Sequence, residues 1–417
     1  MPKFKVYVAR CESYDPLKIS KIIKKGMKIL GVKKIKGKVT IKSNLVHAHS
    51  VVAPSAFTRP ELLSALISLL DGCEIKIVEK SGIGVPTAKA FKHAGYNDLR
   101  KKGVELKEIE LSEKMKVTLK KGEIHREITI PKYLLENDFL IYTPKFKTNV
   151  LAQGMSGALK LNIGILCDDE RIWEHNMNLD KKIVDLYEVG KPGLIVTDAI
   201  EIGMGGNQFT QHKVHLGAII IATNSLAHDV VQAEILNLKP ENINHLRIAN
   251  ERGYGPISLD EIEVLGDIAL EDLKEITKKH ENGYKRVDEL SYNLDIRCGE
   301  PYCVGGCNGV FLDWIYMIKD RRPEIIERLP NLPVVIGEYK GDVEGFRMVY
   351  LGDCAKVKGR KPLIRVRIKG CPPTHRDIIL KMWLFAGIRS PLVTVDQIYD
   401  SYVYGTYVWL KRKVLGV

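Results

Sequence analysis

The chain lacks several features that would assign it quickly. The opening stretch MPKFKVYVARCESYDP has no apolar h-region, so it does not read as a secretory signal. No window reaches the ~18 uninterrupted apolar residues of a membrane span. A cytoplasmic protein with no membrane span is therefore expected, and its thiols should stay reduced. There is no G-x-x-x-x-G-K-[ST] phosphate loop, no C-x2-C-x2-C-x3-C ferredoxin run and no paired C-x2-C zinc knuckle. Aromatic residues make up 7% of the chain, and no aromatic-rich strand offers bases a stacking platform. Nucleic acid is thus not the expected partner, although the net charge is +13. A cationic protein whose Lys and Arg are spread along the chain suits a small anionic molecule equally well.

The 417 residues allow two or three cores. Strand and helix patterns alternate through the first two thirds. FKVYVAR, KVTIKSN, EIKIVEKS, VELKEIEL, DFLIYTPKF, GLIVTDAIE and GAIIIATNS read as strands. Between them, PLKISKIIKKGMKIL, RPELLSALISLL, PTAKAFKHAGYNDLRKKG and SLAHDVVQAEILNL read as helices, and KVTLKKGEIHREITIP reads as a hairpin. This alternation predicts an α/β fold, a mostly parallel sheet flanked by helices. Residues 1–270 are expected to form this unit and 271–295 a charged connector. Residues 296–417 are expected to form a smaller α/β module that holds five of the eight cysteines.

Chemistry in such a sheet gathers beyond the carboxyl ends of the strands. Polar residues close several strands here: Lys42–Asn44, Glu79–Gly82, Thr143–Thr148 and Asp198–Gly206. Lys145 and Lys147 flank a Phe just past one strand, and Gly154 and Gly157 then precede a helical stretch with Lys160 and Asn162. Glycines let backbone N–H groups approach an anion, and lysines supply charge. These residues are expected to form a phosphate or carboxylate site. Asp198 ends a buried strand and could move protons. Arg171 and His175 stand four apart on an expected helix, so they should share a face, and His175 could be a proton shuttle.

The second group is cysteine. Cys298, Cys303 and Cys307 lie within ten residues in RCGEPYCVGGC, and Cys354 and Cys371 follow in LGDCAK and IKGCPPTH. Thiolates are soft ligands, and four of them suit a [4Fe–4S] cluster or zinc. The spacings C-x4-C and C-x3-C, with two remote cysteines, suit the cluster better. The expected ligands are Cys303, Cys307, Cys354 and Cys371, with Cys298 as a substitute. His375 could be an alternative ligand or a donor behind one. Cys11, Cys73 and Cys167 stand alone and read as core residues, although Cys167 closely follows the lysine-rich stretch.

K-S-N at 42–44, T-R-P at 58–60, T-P-K-F-K-T at 143–148, G-M-S-G-A-L-K-L-N-I-G at 154–164, G-M-G-G at 203–206, A-H-D at 227–229 and E-R-G-Y-G at 251–255 together form a pattern. It resembles the domain of unknown function 362 family over most of residues 1–267. Members are often joined to iron–sulfur modules, so the resemblance implies redox or cluster-linked work and a redox partner protein. The cysteines here are more dispersed than in the common arrangement. The expected function is an iron–sulfur redox enzyme or electron carrier acting on an anionic small molecule. The alternatives are a non-redox lyase, isomerase or hydrolase with a structural metal, and a cluster-delivery or RNA-binding protein.

Overall fold

The computed structural model describes residues 4–47, 53–82, 85–389 and 403–416. The strands in chain order are β1 (Phe4–Arg10), β2 (Lys38–Ser43), β3 (Glu74–Glu79), β4 (Glu105–Glu108), β5 (Lys114–Thr118), β6 (Glu127–Pro131), β7 (Phe139–Thr143) and β8 (Lys145–Lys147). They continue with β9 (Leu194–Met204), β10 (His212–Ala222), β11 (Ile262–Gly266), β12 (Asp295–Cys298), β13 (Pro333–Tyr339), β14 (Arg347–Val357) and β15 (Ile364–Ile368). The large sheet runs β11-β1-β10-β9-β7-β2-β3-β4, with β8 beside β9. Only β10 runs against its neighbours, pairing antiparallel with both β1 and β9. The expected α/β architecture, a mostly parallel sheet flanked by helices, is what the chain adopts.

The sheet is buried on both faces, so its strands are nearly continuous apolar runs. One face holds Tyr7, Ile41, Ile77 and Ile141 with the helices Pro16–Ile29 and Pro60–Ile67. The other holds Val6, Tyr142, Ile195 and Ile220 with the helix Ser225–Ile235. Pro60 opens its helix at the first turn, where a missing N–H costs nothing. A second sheet, β12-β13-β14-β15, is parallel throughout and packs Val334, Ile336, Val349 and Leu351 against the helix Gly309–Arg321. Among the described residues no helix is long and apolar enough to cross a membrane.

Several local expectations are corrected. The helix expected over 86–103 breaks at Gly95, whose φ of 75° suits glycine, and resumes as a tighter turn over Tyr96–Lys102. β9 does not stop at Asp198. Ile200, Ile202 and Met204 stay buried, so the strand runs on to a turn at Gly205 and forms a long antiparallel pair with β10. His175 does not share a helix with Arg171. That helix spans Asp168–Ile172 and ends before Glu174, whose φ is 53°. The helix Leu270–Thr277 lies inside the stretch read as a connector, yet Leu270 and Leu273 join the large core.

Candidate functional site

The carboxyl ends of β2, β3 and β7 and the middle of β9 form one rim. Asp198 lies there because β9 outruns β7: its N–H donates to Pro144 O at 2.9 Å. Two buried acid–base pairs occupy this rim. Lys42 on β2 pairs with Glu79 on β3 and also donates to Ser43 O at 2.8 Å. Gly164 lies against this pair, and a Cβ there would stand 2.9 Å from Lys42 Nζ. On the other side Lys145 Nζ meets Asp198 Oδ2 at 2.9 Å, and both side chains are buried. Tyr14 Oη donates to Asp198 Oδ1 at 2.8 Å, and the Arg59 N–H donates to Oδ2 at 2.9 Å. Three donors fix this carboxylate in place.

Lys147 and Lys160 are different. Lys147 is buried and makes one hydrogen bond, to Ala56 O at 3.2 Å. Burial, with Lys160 nearby, pushes its ammonium down to about 7. Lys160 is half-buried and has no hydrogen-bond or ion-pair partner among the described residues. Burial and Arg171 push it down to about 8. Arg171 donates to Lys80 O at 3.1 Å and Ser81 O at 2.6 Å. His175 Nδ1 lies 3.2 Å from Arg171 O. Burial, then the charges of Lys160, Lys182 and Arg171, hold its imidazole down at about 3, so it is neutral at pH 7.

Unpaired polar atoms also collect along this edge. Asn44 Oδ1, Ser55 Oγ, Ser81 Oγ, Thr143 Oγ1 and Gln211 Oε1 are buried without a hydrogen-bond partner among the described residues. Each such group costs about 1–3 kcal/mol if it stays unmet. Ser55 and Gln211 both lie against Gly203, which is in register with Lys147. Two lysines poised near neutrality beside unmet hydroxyls and amides can hold an anion while charged and accept a proton once neutral.

The expected glycine cradle is already filled. The N–H groups of Ala158 and Leu159, just past Gly157, donate to the two oxygens of Asp229 at 2.7 and 2.9 Å. His228 Nδ1 lies 2.7 Å from Asp229 Oδ1, and its Nε2 lies 2.6 Å from Thr197 Oγ1. A Cβ at Gly157 would stand 2.3 Å from that carboxylate, so the glycine makes room for Asp229 and not for a ligand. Gly154, with φ 99°, turns the chain and passes its carbonyl to Asn282 Nδ2 at 2.8 Å. Asn162 accepts the Tyr142 hydroxyl at 2.5 Å, and its Nδ2 is unpartnered.

Three segments of the second unit bring cysteines together. Cys303 and Cys307 flank Gly305 and Gly306 in the turn Val304–Asn308, just before the helix Gly309–Arg321. Cys354 rides a bulge in β14, where Ile336 and Glu338 of β13 oppose Leu351 and Lys356. Such an insertion re-aims side chains. Cys371 follows Gly370 in the turn after β15. A Cβ at Gly306 would stand 2.5 Å from Cys303 Sγ and 3.4 Å from Pro372 Cβ. A Cβ at Gly352, whose φ is 94°, would stand 2.8 Å from Cys307 Sγ and 3.6 Å from Gly370 O. These two glycines let the three segments close. Burial raises the Cys303 thiol to about 11, and Cys371 and Cys354 add to the rise. Burial raises Cys307 further, with Cys303, Cys354 and Cys371 all contributing. Cys298 stands apart from this group: burial and Asp288 raise its thiol to about 12, and Arg286 opposes them. Among the described residues no three or more His, Cys, Asp or Glu groups are arranged to hold a metal ion.

The two sites touch through the chain after Arg171. Asn176, next to His175, donates through Nδ2 to Cys371 Sγ at 3.5 Å. Lys182 fixes this stretch, donating to Glu170 O at 2.6 Å, Arg171 O at 3.0 Å and Trp173 O. A second link runs from Asn149 to Asn207 at 2.8 Å, then to Asp313 at 3.4 Å and on to His375 at 2.9 Å. Tyr14, Asn176 and Lys182 carried no usable signal in the sequence, whereas Arg59 stood in the T-R-P motif without an assigned role. Cys167 is buried against Ile109, and burial raises its thiol, as in a core residue.

Residues 39–234 match the family model of the domain of unknown function DUF362. This stretch is similar to DUF362 domains. The matched stretch contains every lysine of the rim, together with Asp198 and Asp229, and ends before the cysteines. No curated protein matches the chain. Among solved structures, the chain is similar to the lactate racemase apoprotein from Thermoanaerobacterium thermosaccharolyticum, at 14% identity and a TM-score of 0.37. The match covers 82% of this chain and 71% of that one.

Proposed function

We propose that the chain is an iron–sulfur redox protein acting on a small anionic molecule, with one [4Fe–4S] cluster on Cys303, Cys307, Cys354 and Cys371. The observation behind it is the meeting of three cysteine-bearing segments through Gly306 and Gly352. Four thiols in one another's field, in a chain without disulfides among the described residues, fit a positively charged inorganic group. They are not arranged around a single ion. The dispersed spacings C-x4-C and C-x3-C with two remote cysteines support a cluster over zinc, whose usual knuckles are paired C-x2-C. When bound, the cluster would supply one-electron chemistry.

The protein's own groups do the rest. Lys147 and Lys160 hold the anion, and the unmet hydroxyls and amides of the rim orient it. Lys145 and Asp198 neutralise each other and set the shape of the rim. His175, neutral, can accept a hydrogen bond from the substrate or pass one on. Asn176 ties the anion site to the cluster. Anaerobic purification tests this reading: it predicts iron and sulfide in equal amounts, about four of each per chain, with a brown colour that dithionite bleaches. A colourless protein holding one zinc would overturn the redox reading and leave non-redox lyase, isomerase or hydrolase chemistry on the same lysines.

A further inference from the structure

We propose that the open side of the cysteine site is the docking surface for an acidic electron-carrier protein, an inference that rests on the iron–sulfur reading. Cys303 and Cys307 are buried, whereas Cys354 and Cys371 are exposed, so the site has one face toward solvent. The chain around that face is strongly basic. From Arg347 to Lys381 there are ten Lys and Arg and only two Asp. Both acids are engaged, although Asp353 stays exposed: Asp353 accepts the Gly370 N–H at 3.0 Å, and Asp377 accepts the Thr374 hydroxyl at 2.7 Å.

Several of the bases are exposed. Past the bulge, β14 alternates, with Cys354, Lys356 and Lys358 exposed and Ala355 and Val357 buried, so the lysines share the face of Cys354. Lys369 is exposed two residues before Cys371, and Arg376 is 70% exposed at the start of the helix after it. Neither Lys356 nor Lys369 meets a carboxylate among the described residues. Redox encounters are small and transient, and complementary charge steers them. A basic ring around the exposed thiols therefore selects an acidic partner. One electron passes from the reduced centre of that partner to the thiolate-bound cluster, with no bond broken and no proton moved.

The test measures binding of a plant-type acidic ferredoxin to the full chain, with iron content determined on every sample. The expected affinity falls about tenfold or more between 50 and 200 mM salt. The triple variant Lys356→Glu, Lys369→Glu, Arg376→Glu should weaken binding at least tenfold at unchanged iron content. The variant Lys21→Glu, Lys24→Glu, Lys28→Glu changes net charge equally on a remote helix and should stay within about twofold. Equal losses in the two variants would overturn the proposal, as would equally tight binding of a basic cytochrome c or tighter binding of single-stranded RNA. A sample without iron defeats the cluster reading itself. An iron-loaded sample indifferent to charge defeats only the docking surface.

Discussion

The rim and the cysteine site are both crowded with like groups, yet they resolve the crowding in opposite ways. On the rim the protein answers its own charges. Lys42 has Glu79, Lys145 has Asp198, and even the helix N-terminus beyond Gly157 has Asp229. Lys147 and Lys160 meet no carboxylate among the described residues, and Arg171 meets only backbone carbonyls. In the cysteine site nothing in the chain answers the thiols. Burial and the neighbouring thiols drive Cys303 and Cys307 toward the protonated form. On the proposed reading, the two lysines await an anion, while the cysteines await a cationic group.

This contrast can be broken most severely at the cysteines. Cys307→Ser should abolish iron binding, whereas Cys298→Ser should leave it intact, because Cys298 faces Asp288 instead of the other thiols. Elemental analysis of both variants reads the difference, and equal iron in both would erase the distinction drawn here. Next in size is Asp198→Asn, which leaves Lys145 buried without its counter-charge. Losing one partner of a buried pair costs about 3–5 kcal/mol, measurable by urea unfolding. A loss below about 1 kcal/mol would mean that the rim does not depend on internal neutralisation.

The smallest effect is the most diagnostic of the two spare lysines. Lys147 near 7 and Lys160 near 8 lie below the usual lysine value, so above pH 7 the unfolded chain binds more protons than the folded one. Folding stability should therefore rise between about pH 7 and 10, by at most about 1.4 kcal/mol per pH unit for each lysine. Over the same interval the ammonium charge is lost, so binding of inorganic phosphate should weaken. Calorimetry and titration across that range should move in opposite directions. Parallel trends would remove these lysines from the anion site.

Much of the architecture was legible because burial on both faces writes itself as apolar runs. β1, β2, β3 and β7 stand where FKVYVAR, KVTIKS, EIKIVE and FLIYT predicted. The β9–β10 pair was misread because Asp198 looks like a strand end, and only its three hydrogen-bond donors explain an acid in mid-strand. Gly157 carried the right signal, close approach of a carboxylate, but the carboxylate is Asp229 of the chain itself, whereas Gly154 lies against Asn282. His175 left its helix because Glu174 adopts a left-handed conformation that nothing in EHNMN announces. Cysteine spacing pointed to Cys303, Cys307, Cys354 and Cys371, and the segments of Cys303, Cys307 and Cys371 approach one another at Gly306 and Gly352. It could not separate Cys298, whose fate depends on the register of β12 against β13.

The short loop between Lys147 and Gly154 has a practical corollary. Val150 and Leu151 leave the lysine strand and pack into the core of the second unit, with Leu151 pressed against Gly309. A truncation after residue 294 would therefore strip the cover from the very loop that aims Lys147. Expressing the N-terminal part alone should yield a damaged rim, so isolating its ligand chemistry needs the cysteine-bearing half as well.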